Sequence, residues 1–174
     1  VQPRWCDPID QRSRSPRTLT GLFQQRARSD ADRVATRHLR GESVVTTTWA
    51  EWERRSRVLA CGLVRLGLEP GDRVAILANT RASWAWLDFA TMLAGGVTVP
   101  IFPTEAAPGV EHILVDSSAR YVVVEDPAQA AKLVAVRERV PMVERVVYLD
   151  PRCRDRHGRV IGIDDVRGEE PEGW

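Results

Sequence analysis

Between residues 74 and 149 short apolar runs alternate with longer stretches of helical periodicity, and this alternation restricts the folds open to the chain more than any other feature. Val74-Ala75-Ile76-Leu77-Ala78 is apolar without alternation, the pattern of a strand buried on both faces. Residues 97–102, closed by Pro100 and Pro103, residues 121–125 and residues 145–149 read as three further strands. Three helices fall between them. The first, over 81–94, carries Trp84, Trp86, Leu87, Phe89, Met92 and Leu93, is apolar nearly all round and stops at Gly95-Gly96; it is expected to be central. The second, over 108–117, turns Val110, Ile113 and Leu114 inward. The third opens on Asp126-Pro127, an N-cap with proline at the first helical position, and lasts to about Val140. Connections of a dozen or more residues cannot be hairpins and suit crossovers between parallel strands. The fold class is therefore α/β: a parallel, doubly wound sheet with alternating helices.

Upstream the pattern changes. Residues 1–17 hold Pro3, Pro8 and Pro16 with Arg12, Arg14 and Arg17 and no apolar period, and read as a mobile leader; Asp7 and Asp10 argue against a transit peptide. A short helix over 18–28 and a hairpin over 38–48, turning at Arg40-Gly41-Glu42-Ser43, begin the ordered part. Thr48-Trp49-Ala50-Glu51 has the form of a capping box. It opens an amphipathic helix with Trp52, Leu59, Leu63 and Leu66 on one side and Glu53, Arg54, Arg55 and Arg57 on the other, ending at Gly67. Glu69-Pro70-Gly71-Asp72 then turns the chain into the first run. Residues 151–174 are a polar continuation with a short element near 161–166. The first residue is Val1 and not Met, so either the gene is expected to start further upstream or the chain to have been excised.

Composition excludes several functions. Twenty-five basic side chains against 24 acidic ones, a net charge of +1, supply no bulk cationic field for nucleic acid. The longest apolar stretches are far shorter than the roughly 20 residues that span a bilayer. Cys6, Cys61 and Cys153 form no close pair, and a cytoplasmic setting is expected. Chemistry-bearing motifs are equally sparse. Asn79-Thr80-Arg81 stands where a dinucleotide fingerprint would follow the strand, and the single lysine, Lys132, has no glycine loop before it. His38, His112 and His157 fall in separate segments, and Cys153 with His157 reads as a solvated turn before it reads as a metal pair. Ser117-Ser118 reads as a helix end, Asp116 with Arg120 as an ion pair, and the six tryptophans as core mass. Gly96 is placed where a helix stops and reverses, with a positive φ expected there. No catalytic, cofactor-binding or metal-binding residue emerges.

TTTWAEW, GLEPGDRVAIL, ASWAWLDFATMLAGGVTVPIFPT and ILVDSSARYVVVED, in that order and spacing, resemble the N-terminal part of the AMP-forming acyl-CoA synthetases of the adenylate-forming superfamily. Thr48-Trp49-Ala50-Glu51-Trp52 looks like the first core motif of that superfamily, and Leu93-Ala94-Gly95-Gly96-Val97-Thr98-Val99-Pro100 like the second. The resemblance covers about residues 18–150. It departs at Phe102, where the family often has tyrosine, and at Asn79-Thr80-Arg81-Ala82, where asparagine-x-proline-glutamate is usual. The segment around Trp84-Ala85-Trp86-Leu87-Asp88-Phe89-Ala90 is most similar to the long-chain fatty-acid ligases.

The resemblance implies a parent enzyme that joins a carboxylate to coenzyme A with ATP and Mg²⁺, through an acyl-adenylate, releasing AMP and pyrophosphate. In relatives the phosphate loop, the adenine and magnesium motif, the ribose aspartate and the C-terminal lysine all lie downstream of the matching segments. The chain is thus expected to be roughly the first third of such a ligase and an incomplete part of its large N-terminal domain. Alone it is expected to be inactive and to bind none of these cofactors fully. The expected partner is a fatty acid or another carboxylate; nucleic acid is not expected, and peripheral membrane contact and self-association through an open sheet edge and an apolar patch at Trp84, Trp86 and Phe89 are left open. A stand-alone non-catalytic module and an amino-acid or aryl-acid activating domain remain as alternatives.

Overall fold

A computed structural model describes residues 18–149 and the backbone of the strand at 160–162. It separates into two compact units, residues 1–55 and 56–174. Cys153, His157, the leader and most of the polar continuation lie outside the described residues.

In the first unit, helix α1 (Leu19–Ser29) is capped by Thr18, whose hydroxyl accepts from the Gly21 amide at 3.0 Å. Strands β1 (Val34–Arg40) and β2 (Ser43–Thr48) form an antiparallel hairpin in which Arg40 faces Ser43 across the two-residue turn Gly41-Glu42. Gly41 has φ +62°, the first-position glycine of a primed turn. Val45, Thr47 and His38 turn inward from this hairpin, leaving Leu39 and its cross-strand partner Val44 exposed. Helix α2 (Trp49–Arg65) starts here and carries the chain into the second unit. The Thr48 hydroxyl accepts from the Glu51 amide at 3.2 Å, so the expected cap is present. The Glu51 carboxyl is held below its usual range, first by the guanidinium of Arg55 one turn on and least by the Thr48 amide. Phe23 meets Trp52 edge-on at 5.5 Å and Trp49 stacks on Trp52 at 5.6 Å, an aromatic cluster with Arg26 over Trp49.

The second unit is the doubly wound sheet. Strands β3 (Arg73–Leu77), β4 (Val97–Ile101), β5 (Tyr121–Val124), β6 (Arg145–Tyr148) and β7 (Val160–Gly162) are all parallel, in the order β4-β3-β5-β6-β7. Helices α3 (Ala82–Leu93), α4 (Ala107–Ser117) and α5 (Pro127–Val136) connect the first four. Because side chains alternate across a strand, the central strands feed two cores. Val74, Ile76, Val123 and Val147 pack with Leu59, Leu63, Leu87 and Ala90 of α2 and α3. Ala75, Leu77, Val122 and Val124 pack with Val110, Leu114, Leu133 and Val136 of α4 and α5. Residues 74–77 are fully buried, which is why the run shows no polar alternation.

Three helices end by one device. Gly67 after α2, Gly95 after α3 and Ser118 after α4 take φ of +94°, +80° and +50°. In each case the amide of that residue and the amide after it return to the last turn: Gly67 to Val64 and Leu68 to Leu63, Gly95 to Met92 and Gly96 to Thr91, Ser118 to Val115 and Ala119 to Leu114. The positive φ expected at Gly96 therefore belongs to Gly95. Gly96 is needed for a different reason: a Cβ there would stand 3.0 Å from Thr91 Cγ2 and 3.1 Å from the Asp72 carbonyl oxygen.

One further expectation is corrected, that of an exposed patch at Trp84, Trp86 and Phe89. Helix α3 buries Leu87, Ala90 and Thr91 against one face of the sheet and has no exposed residue along its length, as an apolar helix requires, while α4 and α5 cover the other face. Trp84 and Trp86 pack against that core and are half-buried, so they form no exposed patch; Phe102 and Val134 are the most exposed large apolar side chains described in this unit. β4 is an unpaired edge of the described sheet, as expected. The Val97 amide donates inward to Asp72, so by alternation Pro100 faces outward, at a position where an edge strand would otherwise offer an N–H to another chain.

Candidate functional site

Counted from β3, the strand order is 2-1-3-4-5, and in such sheets ligands gather at the carboxyl ends where the winding reverses, here between β3 and β5. Leu77 and Val124 are register partners, so the residues that follow them, Asn79-Thr80-Arg81 and Glu125, meet at that point. The Glu125 carboxylate is 16% exposed and accepts three hydrogen bonds. Its Oε2 takes the Asn79 backbone amide at 2.7 Å and the Asn79 side-chain amide at 2.9 Å, and its Oε1 takes the Arg81 guanidinium at 2.8 Å. The Glu125 amide in turn donates to the Leu77 carbonyl. Arg81 is the N-cap of α3 and makes no side-chain cap, so this carboxylate is the anion beside the start of that helix.

The next carboxyl-edge loop is held by the lone lysine. Lys132 Nζ donates to the Pro103 carbonyl at 2.6 Å, just after Phe102, which is 75% exposed. The Asp126 cap is as expected, with its carboxylate accepting from the Gln129 amide at 2.9 Å.

The opposite edge carries the second polar cluster. Arg120 reaches Asp72 at 2.7 Å and grips Glu144 with two bonds of 2.9 Å. The pairing expected between Asp116 and Arg120 does not form, because the left-handed turn at Ser118 directs Arg120 toward the start of β5 and its neighbours. Arg73 donates to the Ser117 and Ser118 carbonyls at 2.7 and 3.1 Å, closing the end of α4. Partial burial alone would raise the Asp72 carboxyl, but the Glu69 amide and Arg120 outweigh it and hold it below its usual range. The Glu144 carboxyl is held low by the Arg120 hydrogen bonds, and burial pushes the Tyr121 phenol up while its hydroxyl donates to the Leu66 carbonyl. Asp72 and Glu144 are thus held in their charged forms and Tyr121 in its neutral form, and none of the three is poised for proton transfer near neutral pH.

At both edges the described polar side chains are bonded to one another or to backbone groups of the fold. Among the described residues there is no group of three or more His, Cys, Asp or Glu that could hold a metal. His38 lies on β1 and His112 on α4, and the only lysine is spent on a loop carbonyl. At the switch point the Asn79 backbone amide, the Asn79 side-chain amide and the Arg81 guanidinium each donate to Glu125, and the Arg81 side chain stays 46% exposed. Sequence reasoning noticed Asn79-Thr80-Arg81 only as a missing motif. It missed Glu125 as the partner, since adjacency of β3 and β5 is a topological fact that local periodicity does not carry.

Comparison with known proteins follows the same lines. A long-chain-fatty-acid–CoA ligase of Mycobacterium bovis is 36% identical over 141 residues, 79% of this chain and 24% of that protein. A feruloyl-CoA synthase of an Amycolatopsis species is 34% identical over 146 residues, 82% of this chain and 28% of that protein. The chain thus spans about a quarter of the length of these relatives. Among solved structures, coronafacic acid ligase from Pectobacterium brasiliense superposes with a TM-score of 0.78 at 15% identity, over 89% of this chain and 30% of the other, which speaks to fold alone. The profile of the family described as AMP-binding enzyme matches residues 23–170. With the sheet order, the half-buried α3 and the two motif-bearing helix starts and ends accounted for, the chain belongs to the AMP-binding, adenylate-forming enzyme family.

Proposed function

We propose that the chain is the N-terminal part of an ATP-dependent acyl-CoA ligase, one that converts a long-chain fatty acid, ATP and coenzyme A into acyl-CoA, AMP and pyrophosphate. The observation that carries this reading is the similarity over residues 23–170 to a family whose matched members include long-chain-fatty-acid–CoA ligases at 36% identity. ATP, Mg²⁺ and coenzyme A are cofactors of the parent enzyme, and the 174 residues alone hold none of them fully: the described residues offer no phosphate loop and no free lysine. Their part is to build a sheet and two packed cores against which the rest of a ligase assembles. No described helix is long and apolar enough to cross a membrane. A cytoplasmic enzyme that meets its lipid substrate by peripheral contact suits this reading.

The 34% identity to a feruloyl-CoA synthase supports a second reading, an aryl-acid ligase. The two are separated by assaying the polypeptide extended through the codons after Trp174 against acetate, benzoate, ferulate, amino acids and C12 to C18 acids with coenzyme A. Preference for the long-chain acids is expected. Preference for ferulate would replace the long-chain reading by the aryl one, and no acyl-CoA from any acid would remove both.

A further inference from the structure

We propose that Glu125 is a positioning residue that stands in for a bound anion at the topological switch point, closing the place between β3 and β5 to ligands and fixing the turn that launches α3. Three donors converge there: a backbone amide, a side-chain amide and a guanidinium, from Asn79 and Arg81. Such a set, beside a helix start in a doubly wound sheet, is what an oxyanion seeks. Each of the three donates to one carboxylate that arrives from the adjacent strand and is itself 16% exposed, while the Arg81 side chain is 46% exposed. Arg81 gives α3 no side-chain cap of its own, so the Glu125 charge also offsets a cation at the positive end of a helix dipole.

The partners lie 44 and 46 residues apart in sequence and meet only because β3 and β5 pair in parallel with Leu77 opposite Val124. The interaction is thus part of the register of the sheet and not a local turn. It also explains why a doubly wound unit in a nucleotide-using family offers no nucleotide site at its own switch point. The proposal does not depend on which acid the parent enzyme activates, or on whether it is a ligase at all.

Removing the carboxylate should unmask the site. In the full 174-residue chain, Glu125→Ala is expected to speed amide exchange across residues 79–85 by about tenfold or more, because charge-assisted hydrogen bonds to a shielded group are lost. Formate or inorganic phosphate, compared with chloride at equal ionic strength, should restore protection there saturably. The same anions should leave the wild-type chain unchanged, and a Glu125→Ala, Arg81→Ala double variant should show no rescue. If Glu125→Ala does not fold, Glu125→Gln takes its place: it keeps one acceptor, and its exchange over 79–85 should still exceed the wild type's by a few fold. Unchanged exchange in the variant, absence of rescue in a folded Glu125→Ala, or saturable phosphate binding at 79–81 in the wild type would each overturn the proposal.

Discussion

The two edges of the parallel sheet are built by different means. At the amino edge three helices feed three strands through the same left-handed reversal, at Gly67, Gly95 and Ser118, and the strand starts are tied by Asp72, Arg120, Glu144 and Arg73. At the carboxyl edge no such repeat exists: the loops differ in length, and each is held by a single long-range contact, Glu125 to Asn79 and Arg81 or Lys132 to Pro103. A repeated, backbone-based device is suited to stability, whereas individually tethered loops can diverge while the sheet beneath them stays the same. The chemistry of a doubly wound fold collects at the second edge. Here that edge presents a clamp and an exposed aromatic, Phe102, and no reacting group among the described residues.

The contrast can be broken most severely at Gly96. Gly96→Val would drive a β-branched side chain into Thr91 and the Asp72 carbonyl at the amino edge, and should destabilise the chain by about 2–3 kcal/mol in a denaturant titration. A change below half a kcal/mol would show that the close approach does not exist. Asp72→Ala comes next. It frees the Glu69 amide and one arm of Arg120 and should cost about 1–2 kcal/mol at neutral pH.

The same carboxyl sets an acid limit. Asp72 and Glu144 titrate lower in the folded chain than unfolded, so their stabilising contribution is complete above the unfolded carboxylate range near about pH 4 and is lost as pH falls through their depressed values. The difference in stability between wild type and Asp72→Ala should therefore shrink below about pH 4, and a constant difference down to about pH 2 would contradict the pairing. The smallest effect is a gain. Ser118 is the only described residue other than glycine with positive φ, and Ser118→Gly should stabilise by about 0.5–1 kcal/mol. A loss would mean that the serine hydroxyl does more at that helix end than the backbone geometry shows.

Much of the sheet was legible because periodicity is a local property. The buried run at 74–77, the Thr48 and Asp126 caps and the helix stop at Gly95-Gly96 each declare themselves within a few residues. What stayed hidden depends on neighbours distant in sequence. The Arg120 pairing with Asp72 and Glu144 spans 48 and 24 residues, and Asp116 looked the better partner only because it lies one turn away. The exact glycine carrying the positive φ was misplaced by one residue because two glycines stand together and only one of them is the left-handed position.

On the proposed reading this chain is scaffold for a ligase, and the groups that make an acyl-adenylate are expected elsewhere in the parent enzyme. ATP–pyrophosphate exchange measures that step directly, before coenzyme A is involved. Purified residues 1–174, supplied with ATP, Mg²⁺ and a C16 acid, should give no exchange above a no-protein control, while the polypeptide extended beyond Trp174 should give acid-dependent exchange under the same conditions. Acid-dependent exchange by the 174-residue chain itself would contradict that reading, because it would place reacting groups within residues 1–174.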